Sequence, residues 1–223
     1  MLKLTTSGVR RIIPGIVLCL LTALPSVAQT ADKLEPFEPN RNAVDSFYNH
    51  LYQKLLYRFA ERPLARVVVI PPFSPEYALS VERDAKGYQL KSNIKVAYYD
   101  ALQQKRIVPD KPLSFCRPID KELATKIKDL FEAALTTTGA PADPGLDGVR
   151  YFFSAYNEKY GMLRAQALTP APGSRSGALV KICHQLIAYA KGQSNGEDSL
   201  IRNISNLTRY YESLNVKMTT ALN

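Results

Sequence analysis

The sequence predicts an α+β fold: an antiparallel sheet of about four to six strands with amphipathic helices packed on one face. Three observations predict it. Residues 147–192 read as a strand, a polar turn, a second strand, a proline loop and one amphipathic helix. Residues 65–70, ARVVVI, are rich in β-branched side chains, which fit a pleated, buried surface. Residues 120–137 carry Leu123, Ile127, Leu130, Phe131, Ala134 and Leu135 at the three- and four-residue spacing of a helix that buries one stripe.

The first 28 residues read as an export signal. Lys3, Arg10 and Arg11 form a positive start, residues 12–24 an apolar run of about 13, and Ser26-Val27-Ala28 a small-residue cleavage site. The run is too short to cross roughly 30 Å of hydrocarbon as an anchor. The expected location is therefore periplasmic or secreted, after cleavage near Ala28, with no membrane-spanning segment in the remainder. The remaining chain falls into an exposed lead-in at 29–41, a single α+β domain at 42–192, and a C-terminal amphipathic helix within 193–223. Removing the signal takes the net charge from +9 to +6, since 26 basic and 20 acidic residues remain. These are interspersed, with none of the basic runs that nucleic-acid binding requires, so no nucleic-acid partner is expected.

In chain order, Val44, Phe47, Tyr48, Leu51, Leu55, Leu56 and Phe59 predict a first helix over 42–61, opened by Asn40 or Asn42 and ended at Pro63. After the strand at 65–70, Leu79 and Val81 alternate with polar residues, and so do Tyr88, Leu90 and Ile94. Gly87 sits in the turn between them, and the pattern predicts a hairpin. Ser80, Glu82, Gln89, Lys91 and Asn93 fall on its other face, which suggests that this face is wet. Residues 95–108 read as a short helix started by Asn93 or as an irregular segment, the helix being favoured. A short strand leads to Pro118. Asp120 is placed to cap the helix over 120–137, and Gly139 to end it. In the central hairpin Val149, Tyr151, Phe153 and Ala155 share one face. Phe152 makes the other face partly apolar, so this strand is a candidate for cover on both sides. The helix over 176–191 offers Leu179, Val180, Cys183, Leu186 and Ile187, with Gly192 as its stop. Beyond it Leu200, Ile204, Leu207, Tyr211 and Leu214 are spaced 4, 3, 4, 3. That seam would dock on the first helix or, through residues 198–216, on a second copy of the chain.

Cleavage removes Cys19 and leaves Cys116 and Cys183. Two cysteines in an oxidising compartment favour one disulfide, closing a loop of about 67 residues. Loop-closure entropy would make such a bridge worth roughly 4 kcal/mol. The competing reading is two free thiols behaving as small hydrophobes.

Motifs of chemistry are missing. Gly173-Ser174-Arg175-Ser176-Gly177 resembles a nucleophile elbow, but Arg175 stands where the serine must be. His50 and His184 are the two histidines, neither within a metal or triad signature, and no zinc, calcium or phosphate-loop motif occurs. No catalytic residue, metal ligand or cofactor is therefore assigned. Tyrosines gather around the central hairpin, and its tip is the expected contact surface: Tyr156, Glu158, Lys159 and Tyr160. The function these features favour is an exported, non-catalytic interaction protein of the bacterial cell envelope, binding a protein partner or an envelope component. One alternative is a periplasmic hydrolase of cell-wall or glycan material that brings two of Glu76, Asp147 and Glu158 into one cleft. The other is a small-ligand carrier, which requires an apolar pocket between sheet and helices.

Overall fold

The structure is a computed structural model that describes residues 34–95, 98–100, 105–107, 111–139, 148–194 and 196–220. Residues 1–28, expected to be an export signal, and Asp147 lie outside the described residues.

Strand β2 (Ala65–Ile70) organises the fold, and all six of its residues are buried. On one side it pairs with β3 (Tyr77–Asp84), which continues to β4 (Gly87–Ile94) and then β7 (Leu113–Ile119). On the other it pairs with β8 (Arg150–Asn157), followed by β9 (Gly161–Leu168) and the two-residue β1 (Glu35–Pro36). The result is a seven-stranded antiparallel sheet in the order β1-β9-β8-β2-β3-β4-β7. It exceeds the four to six strands expected because the two-residue edge strand β1 adds a seventh, while the strand expected before Pro118 is present as the seven-residue β7. Residues 95–108 were expected to favour a helix. Their described parts instead pair as β5 (Tyr98–Asp100) and β6 (Lys105–Ile107), a separate two-stranded sheet.

Successive side chains of a strand point to opposite faces, and the two faces of this sheet are covered by different elements. Ala65, Val67 and Val69 of β2, with Tyr151, Phe153 and Ala155 of β8, join one large apolar cluster with α2 (Lys121–Leu135), α3 (Arg175–Ala190) and α4 (Glu197–Thr220). Val68 and Ile70 of β2, with Ala78 and Phe152, join a smaller cluster with Tyr52 and Leu55. Tyr52 belongs to α1 (Ala43–Gln53), and Leu55 to the 3-10 turn Lys54–Leu56 that follows it. Three helices therefore share one face and α1 lies on the other, where a single helical layer was expected. Phe152 carried the only sign of this in sequence.

Local chemistry sets the helix ends. Asp120 Oδ1 accepts the Leu123 amide at 2.7 Å, and Ser174 Oγ accepts the Gly177 amide at 3.0 Å. Gly177 is required by close approach: a Cβ there would lie 2.0 Å from the Ala171 carbonyl oxygen. Helix α3 stops in a Schellman motif, with Gly192 at φ +73° and the amides of Gly192 and Gln193 donating to Tyr189 O and Ala188 O. Helix α2 ends at Thr136, before the expected Gly139, because the Thr136 and Thr137 hydroxyls bond back to carbonyls of the last turn.

Three further expectations are corrected. Leu200, Ile204, Leu207 and Tyr211 of α4 are buried against α2 and α3 rather than against α1, so this part of the seam is used within the chain. The side chain of Leu214 lies outside the described residues. Cys116 and Cys183 are both free thiols. Cys183 is buried on α3, in the large cluster. Cys116 on β7 donates towards Gln89 Oε1 on the opposite face, so the sheet itself stands between the two sulfurs. Finally, the face carrying Ser80, Glu82, Gln89 and Asn93 is buried, with Glu82 only 2% exposed. It is covered by the segment that leaves α1.

Candidate functional site

That covering segment is shaped by the polar face beneath it. The helix expected over 42–61 stops at Gln53, having been capped at its start by Asn42 Oδ1 accepting the Asp45 amide at 2.8 Å. Asn93 Nδ2 then donates to the carbonyls of Leu55 (2.7 Å) and Tyr57 (2.9 Å). Arg58 takes a left-handed conformation at φ +61°, which turns the chain. Glu82 Oε1 accepts the Ala60 amide at 2.8 Å, and the Arg66 guanidinium donates to the Ala60 carbonyl. Glu82 is held in turn by Lys91 Nζ at 2.8 Å and by Arg66 at 3.5 Å. Burial lowers the Arg66 guanidinium below its ordinary range, and the Glu82 carboxylate opposes that shift. Two cations therefore share one buried carboxylate, leaving this face with excess positive charge.

Between the segment and the sheet lies a cleft of about 570 Å³. Its apolar lining comes from Phe37 after β1, Tyr52 of α1, Leu56, Phe59, Val68, Phe152 and Met162, and its polar lining includes Gln53, Lys54, Glu61, Arg66, Ser154 and Arg164. The rings hold one another: Phe37 lies 4.8 Å from Phe152 and Tyr52 5.5 Å from it, centroid to centroid. Arg66 lies over the Phe59 ring at 5.4 Å. Register places Ser154 opposite Arg164 and Tyr156 opposite Met162, so β9 turns Met162 and Arg164 to the same face as Phe152. Arg164 is exposed at the edge of the cleft, and among the described residues no carboxylate lies within 4.0 Å of it. Burial raises the Tyr52 hydroxyl above its ordinary range, and the positive charge of Arg164 works against that rise.

A second polar cluster lies on the three-helix side. Tyr77 Oη and His184 Nε2 are 2.9 Å apart, with the Tyr151 ring 6.3 Å from the imidazole. Burial raises the Tyr77 hydroxyl and lowers His184. Cys183, beside it in sequence, is enclosed, and burial pushes its thiol far above neutrality, so it is no nucleophile.

The expected contact residues occupy one hairpin but not one surface. Tyr156 is half-buried beneath Arg62, whose guanidinium lies 4.9 Å from the ring centroid, and its amide donates to Pro63 O. Glu158, Lys159 and Tyr160 are exposed at the tip, where Asn157 Oδ1 accepts the amides of Lys159 and Tyr160. Glu76 pairs with Lys95 at 3.2 Å, next to the Tyr77 end of β3. Glu158 stands at the far end of β8, about eight residues or roughly 25 Å away at strand rise. These two carboxylates do not share a cleft. Among the described residues no group of three or more His, Cys, Asp or Glu could hold a metal ion, and no helix is long and apolar enough to cross a membrane.

Sequence reasoning missed Arg66, Glu82 and Arg164 as site residues. One signal was present: Arg66 interrupts an otherwise apolar run, ARVVVI, where a buried cation needs a partner. Compared with protein-family models, with curated proteins and with solved structures, the chain matches none.

Proposed function

We propose that the chain is an exported, non-catalytic binding protein of the bacterial cell envelope, periplasmic or secreted after cleavage near Ala28, that holds an envelope component in the cleft beneath α1. The observation that carries this reading is the cleft itself. Its volume of about 570 Å³ falls within the roughly 300–1,000 Å³ of small-molecule sites. Aromatic rings contribute to its lining, and Arg164, which has no carboxylate within 4.0 Å among the described residues, stands at its edge. The polar groups beneath it are already committed to holding the covering segment, an arrangement suited to a standing cavity rather than to chemistry. Supporting the non-catalytic part, the site pairs no general acid with a base, and Glu76 and Glu158 lie at opposite ends of the sheet.

The test is native mass spectrometry of the protein purified from the periplasm, followed by organic extraction. The expected result is a bound small molecule released by extraction and lost in Phe152→Ala. A bare monomer, with no small-molecule probe bound in solution, would overturn the reading.

A second reading concerns a protein partner at the hairpin tip. Tyr160 is 60% exposed on a turn fixed by Asn157, and Lys159 Nζ stands 4.8 Å from its ring, a rigid aromatic contact of the kind favoured at interfaces. Tyr160→Ala would abolish capture of such a partner without touching the cleft.

A further inference from the structure

Resting on the cleft reading, we infer that the ligand is a single-chain amphipathic anion, an acyl chain ending in a carboxylate, with its hydrocarbon against the aromatic walls and its head on Arg164.

The argument begins inside the cleft. The deep polar groups are satisfied by the protein: Glu82 by Ala60, Lys91 and Arg66, and Arg66 by Ala60, Ser80 and Glu82. They offer a guest no unmatched donor or acceptor. Carbon is offered by Phe37, Leu56, Phe59, Val68, Phe152 and the flexible thioether of Met162, while the polar part of the lining includes the exposed Gln53, Lys54 and Glu61 and the half-buried Ser154. A body carrying hydroxyls or amides would leave them unpaired against that carbon, at a cost in affinity. A hydrocarbon body has no such groups.

The opposite holds at the edge. Arg164 is exposed and close enough to act electrostatically on the Tyr52 hydroxyl, and no described carboxylate neutralises it. Of the charged side chains that line the cleft, Lys54, Arg66 and Arg164 are cations and Glu61 is an anion, and beneath them Lys91 and Arg66 share the single carboxylate of Glu82, so the balance is positive with Glu61 counted. Charge complementarity therefore calls for an anionic head, and the planar guanidinium fork matches a carboxylate.

The experiment is titration of the full mature chain with decanoate, dodecanoate and tetradecanoate, and with the alcohols of the same lengths, below their aggregation concentrations. Affinity is expected to rise about fourfold per added methylene until the cleft is filled, 0.8 kcal/mol per buried methylene being about fourfold. Each acid is expected to bind at least tenfold more tightly than its alcohol. Arg164→Gln, an exposed substitution, is expected to remove the preference for acid while retaining alcohol binding. Met162→Trp, which fills part of the cleft, is expected to weaken both series.

Equal binding of acids and alcohols, or an acid preference unchanged in Arg164→Gln, would overturn the assignment of the head group and leave the cleft as a site for neutral ligands. Binding to vesicles of anionic phospholipid with no affinity for the monomeric acids would overturn it in favour of a membrane surface. Failure of both series, with nothing extracted from the purified protein, would remove the cleft reading itself.

Discussion

Arg66 and Glu82 lie on adjacent strands with 3.5 Å between Nη2 and Oε1, and both reach Ala60 of the covering segment, one at its carbonyl and the other at its amide. An ion pair between strands thus doubles as the fastening that keeps the segment over the sheet. Glu82→Gln would leave Arg66 buried without a carboxylate, and removing one partner of a buried pair costs about 3–5 kcal/mol. The expected outcome is a urea midpoint lowered by that free energy divided by the slope, with the slope itself unchanged. The double variant Arg66→Met with Glu82→Leu is expected to lose less than the sum of the two single losses, because no charge is orphaned. A loss below about 1 kcal/mol for Glu82→Gln would mean that the segment is held by something else.

The two thiols differ in access, not in pairing. Cys116 is exposed on an edge strand, while Cys183 is enclosed beneath α3 with its thiol pushed well above neutrality. The native protein is expected to take one maleimide, at Cys116, and the unfolded protein two. Reduction beforehand is expected to change neither number. A mass two hydrogens heavier after reduction would contradict the separation of the sulfurs by the sheet.

Gly177 tests the packing of α3 against its own entry loop. A Cβ would meet the Ala171 carbonyl oxygen at 2.0 Å, and that oxygen belongs to backbone that also accepts from Ser174. Gly177→Ala is expected to destabilise by about 1–3 kcal/mol through overpacking. Gly173→Ala, four residues earlier with nothing within 4 Å, is the control and is expected to stay within about 0.5 kcal/mol. Thermal unfolding of the two variants side by side gives the comparison.

His184 is expected to make stability depend on pH. Its folded pKa lies below the ordinary 6.5, with burial as the cause. Below 6.5 the unfolded chain therefore binds more protons at this residue than the folded one. The stability it contributes is present in full above that value and falls away as pH drops through the window towards the folded pKa. The expected measurement is a slope of stability against pH below 6.5 that is reduced in His184→Gln, with Tyr77 reporting the change through its 2.9 Å contact. An imidazole titration by NMR at or above 6.5 in the folded protein would contradict this.

Much of the fold is legible residue by residue. The alternation around Gly87, the stripe from Leu123 to Leu135 and the run Leu179–Ile187 each declare their element, because periods of 2 and 3.6 are local properties of the chain. Asp120 declares its cap for the same reason. The site is far less legible. Glu82, Lys91 and Asn93 alternate with apolar neighbours just as a solvated face does, and only their meeting with Leu55, Tyr57 and Ala60, some 22 to 38 residues away in sequence, makes that face an interior.

Sequence alone determined the α+β class, the central hairpin, the strand at Ala65–Ile70 and the faces of α2 and α3, since a strand or helix writes its buried stripe into its own spacing. Tertiary structure decided which surface each stripe meets. It placed α4 on α2 and α3 instead of α1, because the two helix faces beside it were the apolar surface left to cover. It put the sheet between Cys116 and Cys183. It stopped α1 at Gln53, because Asn93, Glu82 and Arg66 offer the following backbone better partners than another helical turn would. The cleft edged by Arg164 comes from that last choice, which rests on contacts between residues far apart in the chain and on no pattern within any one segment.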